Sequence, residues 1–337
     1  FVLVPSRIHD AVASVMLSLF VPLLFLFFFF FFFFLMIRRP PRSTPLYSSA
    51  ASVCIRDSLH ILNRYAECSL YLYGAHVVSF KPQDQTELLW LSPYSRFSKG
   101  TPIRGGIPIC FPWFSKHRTM DYLPLHGFVR TEFWNIESAE DLTDGRTKIE
   151  LSTESEEPLP DSWPYHFRLK IIITVGEKLE IALIIQNLEN LPIICEDGFH
   201  TYFKVNNPHG CQVRGLDGIE YIDRTKGDIR ERQNGLACFE DEIVHAFMHA
   251  PQRLELVDLV DNRRICIEQE NMDSIVLWNP GKDVGAVNSE IFSAWDQFVC
   301  VESTNCLDCQ LSIPPLGSHY SILRLSSISF DKEEKRR

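Results

Sequence analysis

Four short segments of the chain combine ionisable side chains with apolar neighbours. Arg104 is followed by two glycines inside an apolar, proline-rich run. His126 and Arg130 belong to a second apolar segment, and His200 lies among aromatic residues. The fourth segment is an apolar strand candidate that carries one carboxylate, Glu302. A histidine, a carboxylate and two guanidinium groups are the residue types that supply an acid, a base and a clamp for an anion.

Each of these residues also has an ordinary structural interpretation. A single histidine is more often a core or surface residue than a catalytic one, and a charged side chain at a strand end is usually solvated. Either arginine could belong to a structural ion pair. The combination of these residue types in apolar surroundings is what indicates a site.

Other kinds of site find little support in the sequence. No GxGxxG, GxxxxGK[ST] or HExxH pattern occurs, so neither nucleotide binding nor zinc-protease activity is indicated. Cys306 and Cys309 have CxxC spacing, but no second CxxC or histidine pair completes a set of zinc ligands. A structural zinc site is therefore not expected.

The first 58 residues differ in kind from the rest. They contain 11 of the 25 Phe, and no charged residue occurs between Ala11 and Ile37. The run Phe27–Phe34 resembles a translated thymidine homopolymer, and the residues after it resemble a translated sequencing adapter. We interpret residues 1–58 as a non-native segment and leave them out of fold reasoning. A membrane anchor is the alternative, since 27 uncharged residues are enough to span a bilayer.

The remainder of the chain is acidic and long enough for one large domain. Five of the 33 basic and two of the 43 acidic side chains lie in the first 58 residues, which leaves a net charge of −13 for residues 59–337. Non-specific nucleic-acid binding is not expected, because it requires cationic side chains that neutralise phosphates. Length and apolar content instead favour a folded domain with a substantial core.

Cysteine usage indicates a reducing compartment. Nine cysteines follow residue 58, which is an odd number, and several fall inside apolar strand patterns. In such positions a free thiol behaves as a small hydrophobic group. Free buried thiols are typical of reducing compartments, so we expect a cytoplasmic protein.

The elements that must position the candidate residues have the period of β-strands. Every odd position of Phe167–Val175 is apolar, and Leu179–Leu188 follows after a three-residue turn, so the two predict a hairpin. No stretch of 12 or more residues shows a sustained helical stripe. We predict an all-β domain over residues 59–330, a large antiparallel β-sandwich, with a charged tail at 331–337. The other predicted strands are Leu70–Phe80, Leu88–Leu91, Phe133–Ser138, Lys148–Ser152, Ile193–Val205, Arg264–Gln269, Ser274–Trp278, Phe298–Glu302 and Tyr320–Ile328.

Seven segments of the chain resemble the glucose-6-phosphate 1-epimerase (D-hexose-6-phosphate mutarotase) family of the aldose 1-epimerase superfamily. They occur in the family's order, and the ordered set is more specific than any single motif. The resemblance implies a galactose mutarotase-like β-sandwich, in agreement with the strand pattern. The segments are Leu72–Phe80, Glu87–Trp90, Ile103–Phe114, His126–Arg130, His200–Phe203, Val276–Pro280 and Cys300–Glu302.

The resemblance also implies a role for each candidate residue. His200 takes the family's general-acid position and Glu302 takes its general-base position. Arg104 and Arg130 match the family's sugar-phosphate ligands, and His126 matches a histidine near the sugar hydroxyls. No metal and no organic cofactor is implied, because interconverting two anomers requires only proton transfers.

The chain departs from the family pattern near the presumed sugar hydroxyls. Leu125 stands where many members carry a glutamine. The family's substrate-binding aspartate has no clear counterpart, since Val244 takes its place without gaps and a small shift would bring in Glu242 or Asp241. These departures bear on hexose selectivity more than on the class of reaction.

From the residues and the resemblance together we predict a cytoplasmic, monomeric, cofactor-free isomerase. Its substrate would be glucose 6-phosphate or a related hexose 6-phosphate, whose α and β anomers it interconverts. We expect no nucleic-acid partner, and no membrane association if residues 1–58 are non-native. Two alternatives stay open. An aldose 1-epimerase for unphosphorylated sugars is disfavoured by Arg104 and Arg130, and a non-catalytic sugar-phosphate binding protein is disfavoured by His200 and Glu302.

Overall fold

The computed structural model describes residues 57–155 and 163–330. The segment interpreted as non-native, residues 1–58, lies outside the described residues except for its last two positions. The predicted charged tail at 331–337 also lies outside them. None of the helices in the two described ranges has the length and apolar character that crossing a bilayer requires.

Regular structure in the described ranges consists mainly of 22 strands. Helical structure there is limited to one α-helix, α1 (Gly281–Val287), and five short 3₁₀ segments. The strands are β1 (Ser58–Leu62), β2 (Ala66–Tyr71), β3 (His76–Pro82), β4 (Ile109–Cys110), β5 (Asn135–Asp141), β6 (Thr147–Glu154), β7 (Phe167–Val175), β8 (Leu179–Asn187), β9 (Ile193–Cys195), β10 (Asp197–Phe199), β11 (Tyr202–Lys204), β12 (Cys211–Arg214), β13 (Glu220–Asp223), β14 (Ile229–Arg232), β15 (Ala237–Cys238), β16 (Ile243–Met248), β17 (Arg253–Asp258), β18 (Arg263–Glu270), β19 (Ser274–Asn279), β20 (Phe298–Asn305), β21 (Leu311–Ile313) and β22 (Ser318–Ser329).

Two large antiparallel sheets form the body of the domain. One has eight strands in the order β14-β13-β16-β19-β20-β10-β4, with β11 also paired to β20. The other has nine strands in the order β15-β12-β17-β18-β22-β8-β7-β6-β5. The largest cluster of buried apolar side chains draws on both sheets, for example Ile171 and Leu183 from one and Phe247 and Leu277 from the other. The predicted all-β sandwich is therefore confirmed, with its core between the sheets.

The predicted hairpin is confirmed almost to the residue. β7 and β8 pair in continuous antiparallel register from Phe167 opposite Asn187 to Val175 opposite Leu179. Burial alternates along β8, so one face of that strand packs into the core. Complete burial of a side chain such as Leu183 stabilises the fold by about 1.5–3 kcal/mol.

Three of the predicted strands are wrong in extent. The prediction at 70–80 is divided between β2 and β3, because Gly74 and Ala75 both have positive φ and form a turn. The prediction at 88–91 contains only two isolated bridges, at Leu89 and Leu91. The prediction at 193–205 is divided into β9, β10 and β11, and one of the two breaks falls at His200.

Candidate active site

The break between β10 and β11 carries His200 to the middle of β20. Both short strands pair with β20, so the residues between them lie beside the part of β20 that contains Glu302. Nδ1 of His200 lies 3.6 Å from Oε1 of Glu302, and the two side chains are only 6% and 2% exposed. The structure thus brings together two predicted site residues that are far apart in sequence.

Two polar atoms of this pair lack a hydrogen-bond partner within the described part of the chain. They are Nδ1 of His200 and Oε2 of Glu302, and both are buried. A buried polar atom without a partner costs about 1–3 kcal/mol of stability. Folded proteins seldom keep such atoms, so the pair is a candidate binding site for a ligand.

Burial also shifts the pKa values of both members of the pair. It lowers the pKa of His200 well below the ordinary value, and the charges of Arg104 and Arg130 lower it further. Burial raises the pKa of Glu302 well above its ordinary value, although Arg130 opposes that rise. Both shifts favour the uncharged forms of the two side chains. A proton donor at His200, as the resemblance implies, requires that bound substrate offset part of the lowering of its pKa.

Aromatic rings fix the orientation of the His200 imidazole. The Tyr202 ring stacks on it in parallel, with centroids 4.7 Å apart and planes 8° apart. Trp278 meets it edge-on at 5.7 Å, and His126 does so at 5.1 Å. The backbone N–H of His200 donates to the carbonyl oxygen of Pro108 at 3.0 Å, which anchors the break in the strand.

His126 lies next to His200, as the resemblance implies for a residue near the sugar. It occupies the left-handed backbone region at φ 62°. Its Nδ1 accepts a hydrogen bond from the backbone N–H of Ser115 at 3.2 Å, which leaves Nε2 to carry the ring proton. The next residue must be glycine, because a Cβ on Gly127 would lie 1.8 Å from the carbonyl oxygen of Phe111.

Arg104 already has partners for its side-chain N–H groups. Nε and Nη2 donate to Oε2 of Glu290 at 3.1 and 2.8 Å, and Nη1 donates to the hydroxyl of Tyr202 at 3.0 Å. Arg104 and Glu290 are 24% and 17% exposed. Sequence reasoning assigned no role to Glu290 or Tyr202, and the pairing of Glu290 with Arg104 has no signature in the sequence.

Arg130 is more deeply buried and less fully paired than Arg104. It is 7% exposed, its Nη2 donates to the carbonyl oxygen of Leu125 at 2.6 Å, and its Nε is buried without a partner among residues 57–155 and 163–330. Gly74 permits this placement, because a Cβ there would lie 2.6 Å from the carbonyl oxygen of Arg130. The side chain of Arg130 thus keeps one buried N–H group without a partner in the described structure.

A cavity of about 460 Å³ lies near the pair, although its lining includes none of the five candidate site residues. Two lining residues connect it to the pair: the Phe114 ring lies 6.5 Å from that of His200, and Val276 pairs with Glu302 across the sheet. Val244 also lines the cavity, whereas Asp241 and Glu242 are exposed in the turn before β16. The full lining is Phe114, Ser115, Lys116, Arg224, Gly227, Asp228, Val244, Ala246, Val276, Cys306 and Leu307.

The pair has one further neighbour with metal-binding chemistry, Cys300. The ligand atoms of His200, Cys300 and Glu302 all lie within 4.8 Å of one another. Burial raises the pKa values of both Cys300 and Glu302, which favours their protonated forms. Metal ligands must lose those protons, so the arrangement suits proton transfer better than metal binding.

The fold and the site together define a class of protein. This is an antiparallel β-sandwich with a buried histidine–carboxylate pair and two arginines whose charges act on that pair. The chain belongs to the aldose 1-epimerase family, whose sequence pattern, described as "Aldose 1-epimerase", matches residues 57–311.

Two related proteins support this membership. An Escherichia coli (strain K12) protein named "Putative glucose-6-phosphate 1-epimerase" is 32% identical over 257 residues, which is 75% of this chain and 85% of that protein. A Cenchrus ciliaris protein with the same name is 30% identical over 244 residues, which is 69% of this chain and 73% of that protein. The predicted resemblance is confirmed.

Solved structures show the same fold. The crystal structure of a "putative mutarotase (YeaD)" from Salmonella typhimurium has a TM-score of 0.75 at 24% identity and covers 85% of this chain and 97% of that one. The Slr1438 protein from Synechocystis sp. PCC 6803 has a TM-score of 0.71 at 18% identity and covers 86% and 100% of the two chains. At these identities the likeness bears on the fold.

Proposed function

We propose that this protein interconverts the α and β anomers of glucose 6-phosphate or a related hexose 6-phosphate. One observation carries the proposal: a buried His200–Glu302 pair, 3.6 Å apart, with an unpartnered polar atom on each side chain. Membership of the aldose 1-epimerase family and the names of the relatives support it.

The chemistry requires two proton transfers in each direction. As the ring opens, the bond between C1 and the ring oxygen breaks, the ring oxygen takes up a proton, and the C1 hydroxyl loses one as C1 becomes a carbonyl. The C1–C2 bond rotates, and closure on the other face reverses both transfers. An imidazole and a carboxyl group placed side by side, such as those of His200 and Glu302, can serve as donor and acceptor in both directions. Positioned acid–base groups contribute about 10²–10⁴-fold each to the rate.

Arg104 and Arg130 are the proposed phosphate ligands. A guanidinium group keeps its charge and presents donors in a planar fork that matches phosphate oxygens. The charges of both arginines also lower the pKa of His200. A bound phosphate dianion would offset those charges, which would raise the pKa of His200 and favour its protonated form. Phosphate binding would then prepare His200 as the donor.

One observation favours the alternative of an aldose 1-epimerase for unphosphorylated sugars. The charge of Arg104 is already balanced by Glu290, at 2.8 Å, so this arginine attracts a phosphate less strongly than an unpaired one would. The deeper Arg130 has no carboxylate within hydrogen-bonding distance among its described contacts, and it favours the phosphosugar.

Exchange NMR between the anomers, supported by polarimetry, tests the proposal. Acceleration with glucose 6-phosphate and not with glucose or galactose is the expected result. Acceleration with the free sugars alone would establish the alternative, and binding of glucose 6-phosphate without acceleration would reduce the protein to a sugar-phosphate binder. A reaction without enzyme at the same pH and buffer concentration provides the background rate.

We further propose a cytoplasmic monomer with residues 1–58 as a non-native segment. The nine cysteines of the described residues are all free, which agrees with a reducing compartment. Light scattering after size-exclusion chromatography measures the oligomeric state, and resequencing the 5′ end of the transcript tests the segment. A native open reading frame through residues 1–58 would reopen the membrane-anchor alternative.

A further inference from the structure

The Glu290 carboxylate occupies the side of Arg104 that would suit a phosphate. Nε and Nη2 form one edge of the guanidinium plane, and this edge is used in bidentate binding of carboxylates and phosphates. Both groups donate to the same oxygen, Oε2 of Glu290, at 3.1 and 2.8 Å. A phosphate that binds Arg104 through this edge must displace Glu290 or share the donors with it.

Glu290 is held in place by its backbone. Its N–H donates to Oδ1 of Asn288 at 2.9 Å, and its carbonyl oxygen accepts a hydrogen bond from the Ser92 hydroxyl. The next residue, Ile291, is fully buried in a cluster that includes Trp90. A glutamate fixed in this way belongs to the architecture of the site, unlike a mobile surface ion pair whose contribution is small.

The contact also reaches the proton-transfer pair. Nη1 of Arg104 donates to the hydroxyl of Tyr202 at 3.0 Å, and the Tyr202 ring stacks on His200. Glu290, Arg104, Tyr202 and His200 therefore form one continuous series of contacts. The orientation that Glu290 imposes on Arg104 supports the position of the Tyr202 ring.

We propose that Glu290 is a specificity-determining residue that holds Arg104 in position and competes with the substrate's phosphate for it. The inference rests on the proposed function and adds a residue that the family resemblance does not assign. With Glu290 present, Arg104 and Arg130 offer a net charge of +1 to the ligand; with a neutral residue of the same shape they offer +2. A phosphate monoester carries a charge of about −1.5 to −2 near pH 7. Glu290 thus weakens phosphosugar binding and favours release of the product anomer, as suits an enzyme that should not bind its ground state tightly.

Two substitutions separate the competition of Glu290 with phosphate from its role in holding Arg104 in position. Glu290→Gln removes the charge but keeps an acceptor oxygen for Arg104, whereas Glu290→Ala removes both. We expect Glu290→Gln to bind inorganic phosphate and glucose 6-phosphate about five- to tenfold more tightly, as removal of a partly exposed opposing charge predicts. We expect Glu290→Ala to lower kcat several-fold, because Arg104 and Tyr202 lose their support. Calorimetry measures the binding, and exchange NMR measures kcat and KM.

Glu180→Gln is the matched control. Glu180 pairs with Arg324 in the nine-stranded sheet, where the two residues lie on β8 and β22. This change also removes a carboxylate from an arginine but should leave phosphate binding and kcat unchanged. Phosphate binding by Glu290→Gln that is no tighter than wild type would overturn the inference. If Glu290→Ala does not fold, Glu290→Gln decides alone. Tighter phosphate binding by Glu290→Gln in a protein that does not accelerate anomer exchange would support this inference and refute the proposed function.

Discussion

The His200–Glu302 pair and Arg104 differ in how far the protein satisfies their polar groups. At His200 and Glu302, one nitrogen and one oxygen are buried without a hydrogen-bond partner in the described structure. At Arg104, Nε, Nη1 and Nη2 each have a partner, and Glu290 balances the charge. Arg130 resembles the pair in this respect, because its Nε is also buried without a partner in the described structure. The pair and Arg130 therefore keep unsatisfied polar atoms, which lower local stability, whereas Arg104 is held by its own contacts.

The largest effect should follow from changes to the unsatisfied pair. His200→Ala or Glu302→Gln should lower kcat for anomer exchange by about 10²–10⁴-fold, because each removes a group that carries or accepts the transferred proton. Affinity for glucose 6-phosphate should change little, since Arg104 and Arg130 are intact. Exchange NMR measures the rate and calorimetry measures the affinity. Wild-type rates in either variant would disprove the assignment of the pair.

Changes to the two arginines should have intermediate and unequal effects. Arg130→Gln should raise KM for glucose 6-phosphate about 100-fold and Arg104→Gln about tenfold, because a hydrogen bond to a charged group is worth about 1.5–3 kcal/mol and Arg104 is already paired. KM for free glucose, if measurable, should change much less in both. Saturation kinetics by exchange NMR provide the comparison. If KM rose equally for phosphorylated and free sugar, the arginines would not act as a phosphate clamp. If KM for glucose 6-phosphate rose equally in both variants, the proposed difference between Arg104 and Arg130 would be refuted.

Local patterns were sufficient to predict the β7–β8 hairpin and several other strands, but not the six strands β12–β17 between residues 211 and 258, and not the interruptions of the predicted strands. The β7–β8 hairpin could be predicted because Phe167–Val175 alternates strictly and a three-residue turn follows. The break at His200 could not, because it depends on a hydrogen bond from its backbone to Pro108, 92 positions earlier in the chain. The alternation of apolar and polar residues along a strand does not indicate which of its backbone groups will form hydrogen bonds with a segment that is distant in sequence.

Local sequence patterns predict even less of the candidate site. The family resemblance supplied His200 and Glu302 as partners, whereas spacing alone could not, because their proximity arises from the pairing of β10 and β11 with β20. Glu290 was missed entirely. Its contact with Arg104 spans 186 positions. Long-range ion pairs have no local signature in a single sequence.

The smallest effect tests whether the two regions act on each other. A dianion bound at Arg104 and Arg130 should raise the pKa of His200, because it offsets the charges that help to lower that pKa. Sulfate should therefore accelerate the exchange of free glucose anomers by the wild-type enzyme, about two- to fivefold at saturation, as a partly screened charge interaction predicts. Sulfate is preferable to phosphate here, because phosphate itself catalyses anomer exchange in solution.

Chloride at equal ionic strength and the Arg130→Gln variant provide the controls for this experiment. The variant should show no activation, since it lacks the more strongly binding arginine. Inhibition by sulfate, or no effect of sulfate on wild type, would mean that the arginines anchor the substrate without influencing the pair. Activation that requires Arg130 would instead show that an anion bound at the arginines governs protonation of His200, and that the phosphate of the substrate takes part in preparing His200 as the proton donor.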